Sequence, residues 1–506
     1  RDDRERGEPV IAGAGLVSSW LIILALGLPL FAALCIWFFG QSPNQRETIT
    51  LVSAGSLLLV VLAILPLVLA GLPVRLELLA PVPGLSIAFA VEPLGMIFAA
   101  VASFLWIVNS IFSIGYMRGN NEPRQTRFYV CFAIAISATM GLAFAENLFT
   151  LFVCYEALTL STYPLVTHHK NDEARRAGRT YLGILLGSSV IFLLPAIITT
   201  WVLTGSITFT PGGVMAGKVE PVIGGILLLL FLYGIGKAAL MPMHRWLPAA
   251  MVAPTPVSAL LHAVAVVKAG VFTVVKVSVY IFGLDYLREL ALADVALYLA
   301  GFTILMASII ALRQDNLKRR LAYSTVSQLS YVILAALILS PISTMGAALH
   351  IAVHAFGKIT LFMAAGAIYT AAHKINVSQL DGIGRRMPWT MGAFAIGALS
   401  MIGLPPAAGF LSKWYMLLGA LEVEQWFAVG VIVLSTLLNA AYFLPIVYAA
   451  FLKPEAGDGD GHDDQHEHGE APLPIVLALV TTASATILLF LFPGPALELA
   501  GMLVGR

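Results

Sequence analysis

Charged residues are scarce in this chain: they make up 11% of its 506 residues, whereas 59% are hydrophobic and the mean hydropathy is +0.89. Soluble globular proteins carry about 25% charged residues. The net charge is +1, and no run of Lys and Arg forms the basic stripe that is typical of nucleic-acid binding. The composition therefore excludes a soluble domain and indicates a protein that spans a membrane.

Cysteine is also scarce, and the sequence motifs of common enzymes are absent. The three cysteines, Cys35, Cys131 and Cys154, all lie in apolar runs, which favours packing over a disulfide or metal set. No GxSxG, P-loop, HExxH or paired CxxC motif occurs, and no Gly-rich fingerprint follows a strand. We therefore predict a transporter subunit without catalytic residues, cofactor or metal. The first residue is Arg1, and the opening ten residues lack the pattern of a signal peptide.

Apolar stretches of about 20 residues recur along the chain, and each can cross a bilayer as a helix. The alternation of a β-barrel is absent, so the predicted fold is an all-α polytopic membrane protein with no strands. Residues 72–88 are too short and proline-rich to span, and we expect them at the outer surface. The sequence predicts about 14 transmembrane helices, at residues 14–39, 48–71, 89–116, 127–145, 148–167, 180–204, 221–241, 256–282, 291–312, 321–340, 344–372, 389–418, 426–452 and 472–493.

The distribution of positive charge supports this count. Of the 29 Lys and Arg residues, 17 fall on one set of alternate connections, 7 fall on the other side together with the termini, and 5 lie inside the predicted spans. Cytoplasmic loops of membrane proteins carry an excess of Lys and Arg. Both termini are therefore predicted to face outside.

Two of the predicted spans contain helix-breaking residues beside a lysine. Pro242 follows Lys237 in the seventh span, and Pro405 and Pro406 precede Lys413 in the twelfth. Interrupted helices at corresponding positions of two halves are the best sequence indication of a transport site. An alternative remains open, because proline and glycine are common in membrane helices.

Nine ionisable residues in these spans are the candidate functional residues. Charged side chains inside a membrane are costly and usually functional. Glu156 is the only acid well inside a span, and we expect it to pair with a lysine. Eight of the nine are predicted to form a proton path: Glu156, Lys237, His262, Lys268, His350, His354, Lys358 and Lys413.

The remaining lysine, Lys276, lies near a helix end and is interpreted as an anchor that reaches the surface. Glu92, Glu146 and Asp294 also lie near span ends and are predicted to be interfacial. His350, His354 and Lys358 follow one another at four-residue spacing, so they share a helix face, and histidine is suited to relaying protons near neutral pH. A buried histidine with a merely structural role is the alternative.

The segment 453–470 is acidic and rich in histidine, with His462, His466 and His468 among its carboxylates. It could bind a divalent metal, but its composition favours a solvated cytoplasmic linker.

Four motifs together resemble the antiporter-like subunits shared by respiratory complex I, membrane-bound hydrogenases and Mrp-type multisubunit Na⁺/H⁺ antiporters. The resemblance covers residues 16–452. The four motifs are NLFTLFVCYEALTLSTYPLV, GKAALMPMHRWLPAAMVAPTPVSALLHAVAVVKAGVF, HIAVHAFGKITLFMAAGAI and GLPPAAGFLSKWYM. The sequence around Glu156, and the lysine at position 413, look most like the MrpD-type subunit of these antiporters, whereas residues 242–272 resemble the larger MrpA type or the largest antiporter-like subunit of complex I.

The resemblance implies a domain organisation and partners. It implies N-terminal helices in residues 1–126, two five-helix units related by an inverted repeat in residues 127–282 and 291–452, the loop 453–471, and a last helix in residues 472–506. It implies discontinuous helices 7 and 12 and a mid-membrane chain of Glu, Lys and His. It also implies partner subunits in a hetero-oligomeric complex, with H⁺ and Na⁺ or K⁺ as substrates, in a bacterial plasma membrane.

Three functions are compatible with this resemblance. The first is the proton-translocating subunit of a monovalent cation/proton antiporter. The second is a proton-pumping subunit of a redox complex of the complex I or membrane-bound hydrogenase type. The third is the proton-path subunit that energises a bicarbonate-uptake partner.

Overall fold

The computed structural model describes residues 8–82, 84–454 and 469–505. Eleven of the described helices are long and apolar enough to cross a membrane, and two shorter apolar helices, Pro221–Gly234 and Pro388–Ile402, accompany them. The predicted all-α polytopic membrane fold is therefore confirmed. The count of 14 spans stays a prediction. The His-rich residues 455–468, with His462, His466 and His468, lie outside the described residues.

The helices of the first part of the chain coincide closely with the predicted spans. They are α1 (Glu8–Phe39), α2 (Pro43–Leu69), α3 (Pro93–Gly119), α4 (Gln125–Ala143), α5 (Leu148–Val166), α6 (Asp172–Ser188), α7 (Leu194–Thr204), α8 (Pro221–Gly234), α9 (Trp246–Ala249), α10 (Thr255–Ala259), α11 (Val266–Val277) and α12 (Leu284–Arg288). A π-helical turn, Ser189–Leu193, joins α6 to α7 into one helical segment.

The second part of the chain also consists of long helices and contains the second interruption. It contains α13 (Ala291–Leu312), α14 (Leu317–Leu337), α15 (Pro341–Ala372), α16 (Ile383–Arg386), α17 (Pro388–Ile402), α18 (Gly409–Glu422), α19 (Trp426–Leu452), α20 (Leu473–Leu491) and α21 (Gly494–Leu503). The short α21 was not predicted from the sequence.

A two-stranded antiparallel hairpin follows α2. Its strands are β1 (Arg75–Val82) and β2 (Leu85–Ala90). The prediction that this region does not span the membrane agrees with these short strands, but the prediction of no strands is wrong here. Arg75 ties the hairpin to the bundle, because its guanidinium contacts Glu146 at 2.5 and 2.9 Å.

The chain leaves helical geometry at two places that carry a buried lysine. Between α8 and α9 it forms two 3-10 turns, Gly236–Ala238 and Met243–Arg245, with Pro242 between them. Between α17 and α18 it is non-helical across Pro405 and Pro406. Proline lacks a backbone N–H, so it cannot continue the hydrogen-bond ladder of a helix. At the second interruption the last carbonyls of α17 bind the Lys413 ammonium, whereas Lys237 at the first interruption binds groups of α5.

The segments with the most ionisable residues are enclosed by the others. The most apolar window of the segment Thr255–Phe282, which contains α10 and α11, is 100% buried, and that of α15 is 94% buried, whereas that of α2 is 28% buried. Two π-helical turns, Leu260–Val264 and Ser278–Phe282, flank α11. Such turns are rare and are found mostly at functional sites. The polar residues of the bundle therefore lie in a protein interior and not against lipid.

Two glycines allow the close approaches around the interruptions. A Cβ on Gly270 of α11 would lie 2.3 Å from the backbone nitrogen of Ala238, beside Lys237. A Cβ on Gly409, where α18 begins, would lie 1.6 Å from the carbonyl oxygen of Ser400. Real non-bonded atoms do not approach this closely, so only glycine fits at either position.

Substitution Gly409→Ala is expected to destabilise the protein strongly. Overpacking a filled interior costs about 1–3 kcal/mol or more, and the 1.6 Å approach requires the backbone of α17 or α18 to move. The measurement is the thermal unfolding midpoint of the purified protein in detergent. Gly392→Ala on α17 is the matched control, because a Cβ there meets no atom within 4 Å. Equal midpoints for the two variants would contradict this packing.

Candidate functional site

Lys237 lies in the first helix interruption, and its side chain is completely buried. Its ammonium donates to the carbonyl oxygen of Tyr155 at 2.8 Å and to the hydroxyl of Thr159 at 2.5 Å. It also lies 3.1 Å from the centroid of the Tyr155 ring, a cation–π contact. The ammonium is therefore held by α5 through a carbonyl, a hydroxyl and a ring.

Glu156 follows Tyr155 on α5, but its carboxylate does not pair with Lys237 in this structure. Both carboxylate oxygens are buried and have no hydrogen-bond partner among the described residues. A buried carboxylate without a partner is costly. The sequence predicts that Glu156 pairs with a lysine, but in the structure the carboxylate has no hydrogen-bond partner among the described residues and lies next to Tyr155, which binds the Lys237 ammonium.

Lys268 and His354 meet at the centre of the bundle, although they are far apart in the sequence. The Lys268 ammonium lies 2.5 Å from Nδ1 of His354, and both side chains are almost completely buried. The Nε2 of His354 has no hydrogen-bond partner among the described residues. This contact joins α11 of the first part of the chain to α15 of the second part.

His350 continues the line along α15. Its ring lies 5.9 Å from that of His354, with 19° between the ring planes. Its two nitrogens are both occupied: Nδ1 lies 2.8 Å from the hydroxyl of Ser412, and Nε2 lies 3.0 Å from Oε1 of Gln328. The predicted stripe on this helix is therefore in contact with α14 and α18.

Lys413 is the last residue of this line and lies on α18, just after the second helix interruption. Its ammonium donates to the carbonyl oxygens of Met401 and Ile402, at 2.8 and 3.0 Å, which are the last carbonyls of α17. The amide of Gln328 donates to the same Met401 carbonyl at 3.3 Å. Polar contacts therefore run from Lys268 to Lys413, with one step without a direct hydrogen bond, between the two histidine rings.

Lys358 and His262 lie on the side of this line that leads to the basic connections. Lys358 donates to the hydroxyl of Ser324 at 2.8 Å, and that hydroxyl also accepts from Tyr442 at 3.0 Å. His262 lies in the π-helical turn before α11, with Nδ1 3.2 Å from the hydroxyl of Thr325. Its Nε2 has no hydrogen-bond partner in the described part of the chain.

The interpretation of Lys276 as a surface anchor is wrong. Its side chain is completely buried, and its ammonium lies 3.3 Å from Oε2 of Glu92 and 2.6 Å from the carbonyl oxygen of Ala145. Glu92 immediately precedes α3 and its side chain is 17% exposed although its Oε2 is buried, so its interfacial position stays a prediction. The sequence could not reveal this pair, because β2 and the start of α3 carry Glu92 beneath the surface.

A cavity of about 230 Å³ opens at the face that carries most basic connections, and we call this face the basic face. Its walls include Glu122, His169 and Lys318, from three different connections. Thr255 is also in the wall and lies seven residues before His262. Lys318 lies seven residues before Thr325, which contacts His262. Seven helical residues span about 10 Å, so the cavity floor points toward His262.

Two histidines flank the Glu122 carboxylate at this cavity. His168 Nε2 and His169 Nδ1 each lie 3.8 Å from Oε2 of Glu122. Burial lowers the pKa of His168 to about 4 and raises the pKa of Glu122. Both shifts favour the uncharged forms, because burial penalises charge. At neutral pH His168 is therefore neutral, and Glu122 binds a proton more readily than an exposed acid.

Several contact residues were missed by the sequence reasoning. Their common signal is a polar side chain in an apolar run at helical spacing, as for Ser324, Gln328 and Tyr331 on α14. Ser324 and Tyr331 contact Tyr442 and Ser435 on α19, whereas Gln328 contacts His350 on α15. The described residues contain no group of three His, Cys, Asp or Glu side chains that could hold a metal ion.

Comparison with known proteins identifies the family. A profile described as "NADH:quinone oxidoreductase/Mrp antiporter, TM" matches residues 145–439, which is more than half of the chain. The chain belongs to this family. As a member of the NADH:quinone oxidoreductase/Mrp antiporter family it is an antiporter-like, proton-translocating membrane subunit and not an enzyme in itself.

The chain is similar to curated relatives over most of its length. It is 32% identical over 455 residues to "NADH-quinone oxidoreductase subunit N" of Desulforudis audaxviator, covering 87% of this chain and 89% of that protein. It is 31% identical over 382 residues to "NADH-quinone oxidoreductase subunit L" of Mycobacterium tuberculosis, covering 73% of this chain and 58% of that protein. The match thus spans little more than half the length of the Mycobacterium relative.

Two solved structures share the fold. A chain of the Mrp complex from Dietzia sp. DQ12-45-1b matches with a TM-score of 0.85 at 22% identity, covering 96% of this chain and 97% of that chain. A chain of the membrane-bound sulfane sulfur reductase, an archaeal respiratory membrane complex, matches with a TM-score of 0.81 at the same identity. At this identity the matches show the fold alone. These similar chains are components of multisubunit membrane complexes, which supports hetero-oligomeric partners for this chain.

Proposed function

We propose that this chain is the proton-translocating subunit of a multisubunit monovalent cation/proton antiporter of the Mrp type, most similar to the MrpD-type component. It moves H⁺ along the mid-membrane residues in exchange for Na⁺ or K⁺, together with partner subunits, in a bacterial plasma membrane with both termini outside. The observation that carries the proposal is the line of contacts from Lys268 through His354, His350 and Gln328 to Lys413.

This line suits proton transfer because each of its ionisable groups can gain and lose a proton. Neutral imidazole and amine groups accept protons and their charged forms donate them, and the Gln328 amide positions His350 relative to Lys413 through the Met401 carbonyl that both bind. Between His354 and His350 the ring centroids are 5.9 Å apart, and transfer across this step requires His350 to release one of its two partners, Ser412 or Gln328. In our proposal, protons enter at the basic-face cavity, pass His262, and leave the chain beyond Lys413.

The proposed domain organisation accounts for the presence of two helix interruptions, each with a buried lysine. We propose that residues 127–282 and 291–452 form the two inverted units, flanked by residues 1–126, the loop 453–471 and residues 472–506. The packing of α4 against α5 resembles that of α13 against α14 at the corresponding positions. Each unit then contributes one interrupted helix with its lysine, Lys237 in the first and Lys413 in the second.

The second candidate function is a proton-pumping subunit of a redox complex. The similarity to an NADH-quinone oxidoreductase component over 87% of this chain favours it. In that setting the same proton path is driven by electron transfer elsewhere in the complex. The chain itself remains without a redox cofactor in either proposal.

One experiment tests the proposed function and separates the two candidates. Inside-out vesicles are prepared from cells that express the complete complex, and acidification is followed with a pH-sensitive dye. Under the antiporter proposal, a proton gradient imposed by an independent pump collapses when NaCl or KCl is added. Under the redox proposal, added salt has no such effect, and NADH or another reductant drives acidification through the complex itself. Vesicles in which neither response depends on this chain would contradict both.

Substitution Gln328→Leu is expected to reduce this flux roughly tenfold, since it removes the amide that connects His350 to the Met401 carbonyl. Flux per assembled complex is measured in the same vesicles. Ser330→Ala on the same helix is the matched control, because the Ser330 hydroxyl is buried and has no hydrogen-bond partner among the described residues. If the leucine variant transports as well as the control, protons do not pass this amide.

A further inference from the structure

A second cavity, of about 740 Å³, lies at the face opposite the basic face. Connections from both parts of the chain line it, and its walls carry Glu92, Glu146, Asp285 and Arg288. The side chain of Asp285 is 97% exposed, that of Glu146 12% and that of Glu92 17%. The cavity is therefore open to solvent at Asp285, and Glu92 and Glu146 are its more buried acids.

The Glu92–Lys276 ion pair lies at the inner end of this cavity. The Lys276 ammonium is enclosed by Glu92 at 3.3 Å, the Ala145 carbonyl oxygen at 2.6 Å and the ring of Phe209, whose centroid is 4.4 Å away. Its side chain has no solvent exposure, whereas the Glu92 side chain keeps its 17% on the cavity. Water in the cavity therefore contacts Glu92 but not Lys276, so a proton passes between the cavity and Lys276 through Glu92.

The other charged groups around this pair already have partners. Arg75 binds Glu146, and Arg288 binds Asp285 at 2.5 Å. Tyr280 is the remaining titratable group in the cavity wall. A proton that leaves Lys276 is therefore most directly accepted by Glu92, and the product is a neutral amine beside a neutral carboxylic acid.

Phe272 separates this pair from the central relay. Lys268, Phe272 and Lys276 lie four residues apart on one face of α11, which places the two lysines about 12 Å apart along the helix axis. The Phe272 ring lies 5.5 Å from the Lys276 ammonium and 5.1 Å from the Phe98 ring. In this structure an aromatic contact thus stands where a polar contact would connect the two lysines.

We propose that Glu92 and Lys276 form a second proton-release site, which delivers protons to the cavity opposite the basic face. This proposal rests on the proposed function and adds an outlet in the first part of the chain. The outlet works in one coupled cycle with the outlet at Lys413, so blocking either one stops the turnover of both. The Lys276 ammonium gives its proton to the Glu92 carboxylate, the acid gives it to water in the cavity, and a proton from the Lys268 side restores the ammonium. Phe272 is the barrier that must move for this last step, and the π-helical turns at both ends of α11 are where its displacement is absorbed.

The test uses the complete complex in vesicles and compares Glu92→Gln, Lys276→Met and the double variant. Each single substitution leaves one buried charge unpaired, so it alone cannot distinguish a structural from a transport role. The double variant removes both charges and keeps similar side-chain shapes. Assembly is measured by native electrophoresis, and proton flux is expressed per assembled complex.

We expect the double variant to assemble like the unmodified complex and to transport about tenfold less. Glu92→Asp keeps the carboxylate and is expected to retain part of the flux. Asp285→Asn is the control in the same cavity, because Asp285 is exposed and pairs with Arg288, and it is expected to leave the flux unchanged.

Two results overturn the inference. A double variant that transports at more than half of the unmodified flux shows that the pair only holds the structure together. A Glu92→Asp variant as inactive as Glu92→Gln, per assembled complex, shows that the carboxylate does not carry the proton. If Lys413→Ala stops transport in the same experiment, either of these two results rules out the Glu92–Lys276 outlet but leaves the proposed function standing. If the unmodified complex shows no cation- or reductant-dependent flux, the proposed function itself fails.

Discussion

Replacing Lys413 by arginine is expected to abolish proton flux almost as completely as replacing it by alanine, a loss of about 100-fold. Lys413 binds the last carbonyls of α17 at the second interruption, and arginine can also bind carbonyls, so a structural role would tolerate the change. A relay residue must release its proton, and a guanidinium keeps its proton at any accessible pH. The measurement is proton flux for both variants at matched amounts of assembled complex.

Lys218→Arg is the matched control for this substitution. The Lys218 ammonium also donates to a backbone carbonyl, that of Thr204 at 3.0 Å, but it lies in a connection away from the proposed path. Flux is expected to be unchanged in this control. If the arginine variant of Lys413 retains most of the flux and the alanine variant does not, Lys413 is a fixed counter-charge. Protons would then have to leave the line from His350 and His354.

Glu156→Ala is the second substitution with a very large expected effect: it should stop transport while the protein still inserts and assembles. Assembly should survive because the carboxylate oxygens of Glu156 have no hydrogen-bond partner to lose among the described residues. Transport should stop because Glu156 is the only acid well inside a predicted span, next to Tyr155, which holds the Lys237 ammonium. Removing this carboxylate removes the negative charge beside the residue that holds Lys237, and nearby negative charge is what favours the charged form of a lysine.

Cation-dependent proton flux in vesicles measures this effect, and the amount of complex in the membrane measures assembly. Glu156→Gln keeps the shape of the side chain without the charge and should behave like the alanine variant. Glu173→Ala, which removes an exposed acid at the start of α6, is the control. Near-normal flux in the alanine variant of Glu156 would exclude an essential role for this acid.

The sequence predicts the membrane fold well because the bilayer imposes simple rules. A spanning segment must be apolar and helical over about 20 residues, so the hydropathy pattern indicates helices such as α5 and α15 closely. Proline chemistry likewise indicates both places where the chain is non-helical. The hairpin was missed because its strands lie outside the spans, where lipid imposes no pattern, and pair with each other and with the segment after α4.

The candidate residues could be selected from the sequence, but their partners could not. Ionisable residues stand out in apolar runs, and eight such residues were chosen on that basis. The Lys268–His354 contact joins residues 86 positions apart, and only tertiary packing brings them together. Lys276 shows the opposite error: its place near a helix end indicated exposure, yet the hairpin and the connection after α4 cover it and provide Glu92 and Ala145.

The enclosure of α10, α11 and α15 has a consequence for biosynthesis. Segments that carry Lys268, His354 and Lys358 partition poorly into lipid when they are alone, because an uncompensated charge in the bilayer costs a few kcal/mol or more. Their apolar windows are 94–100% covered by protein in the finished fold, so lipid is never their neighbour there. Stable insertion of these segments therefore depends on the helices that surround them. A truncated chain that lacks α13 to α20 is expected to leave the Thr255–Phe282 segment accessible to membrane quality-control proteases. The nascent protein must therefore complete both parts of the chain before Lys268, His354 and Lys358 are enclosed by protein.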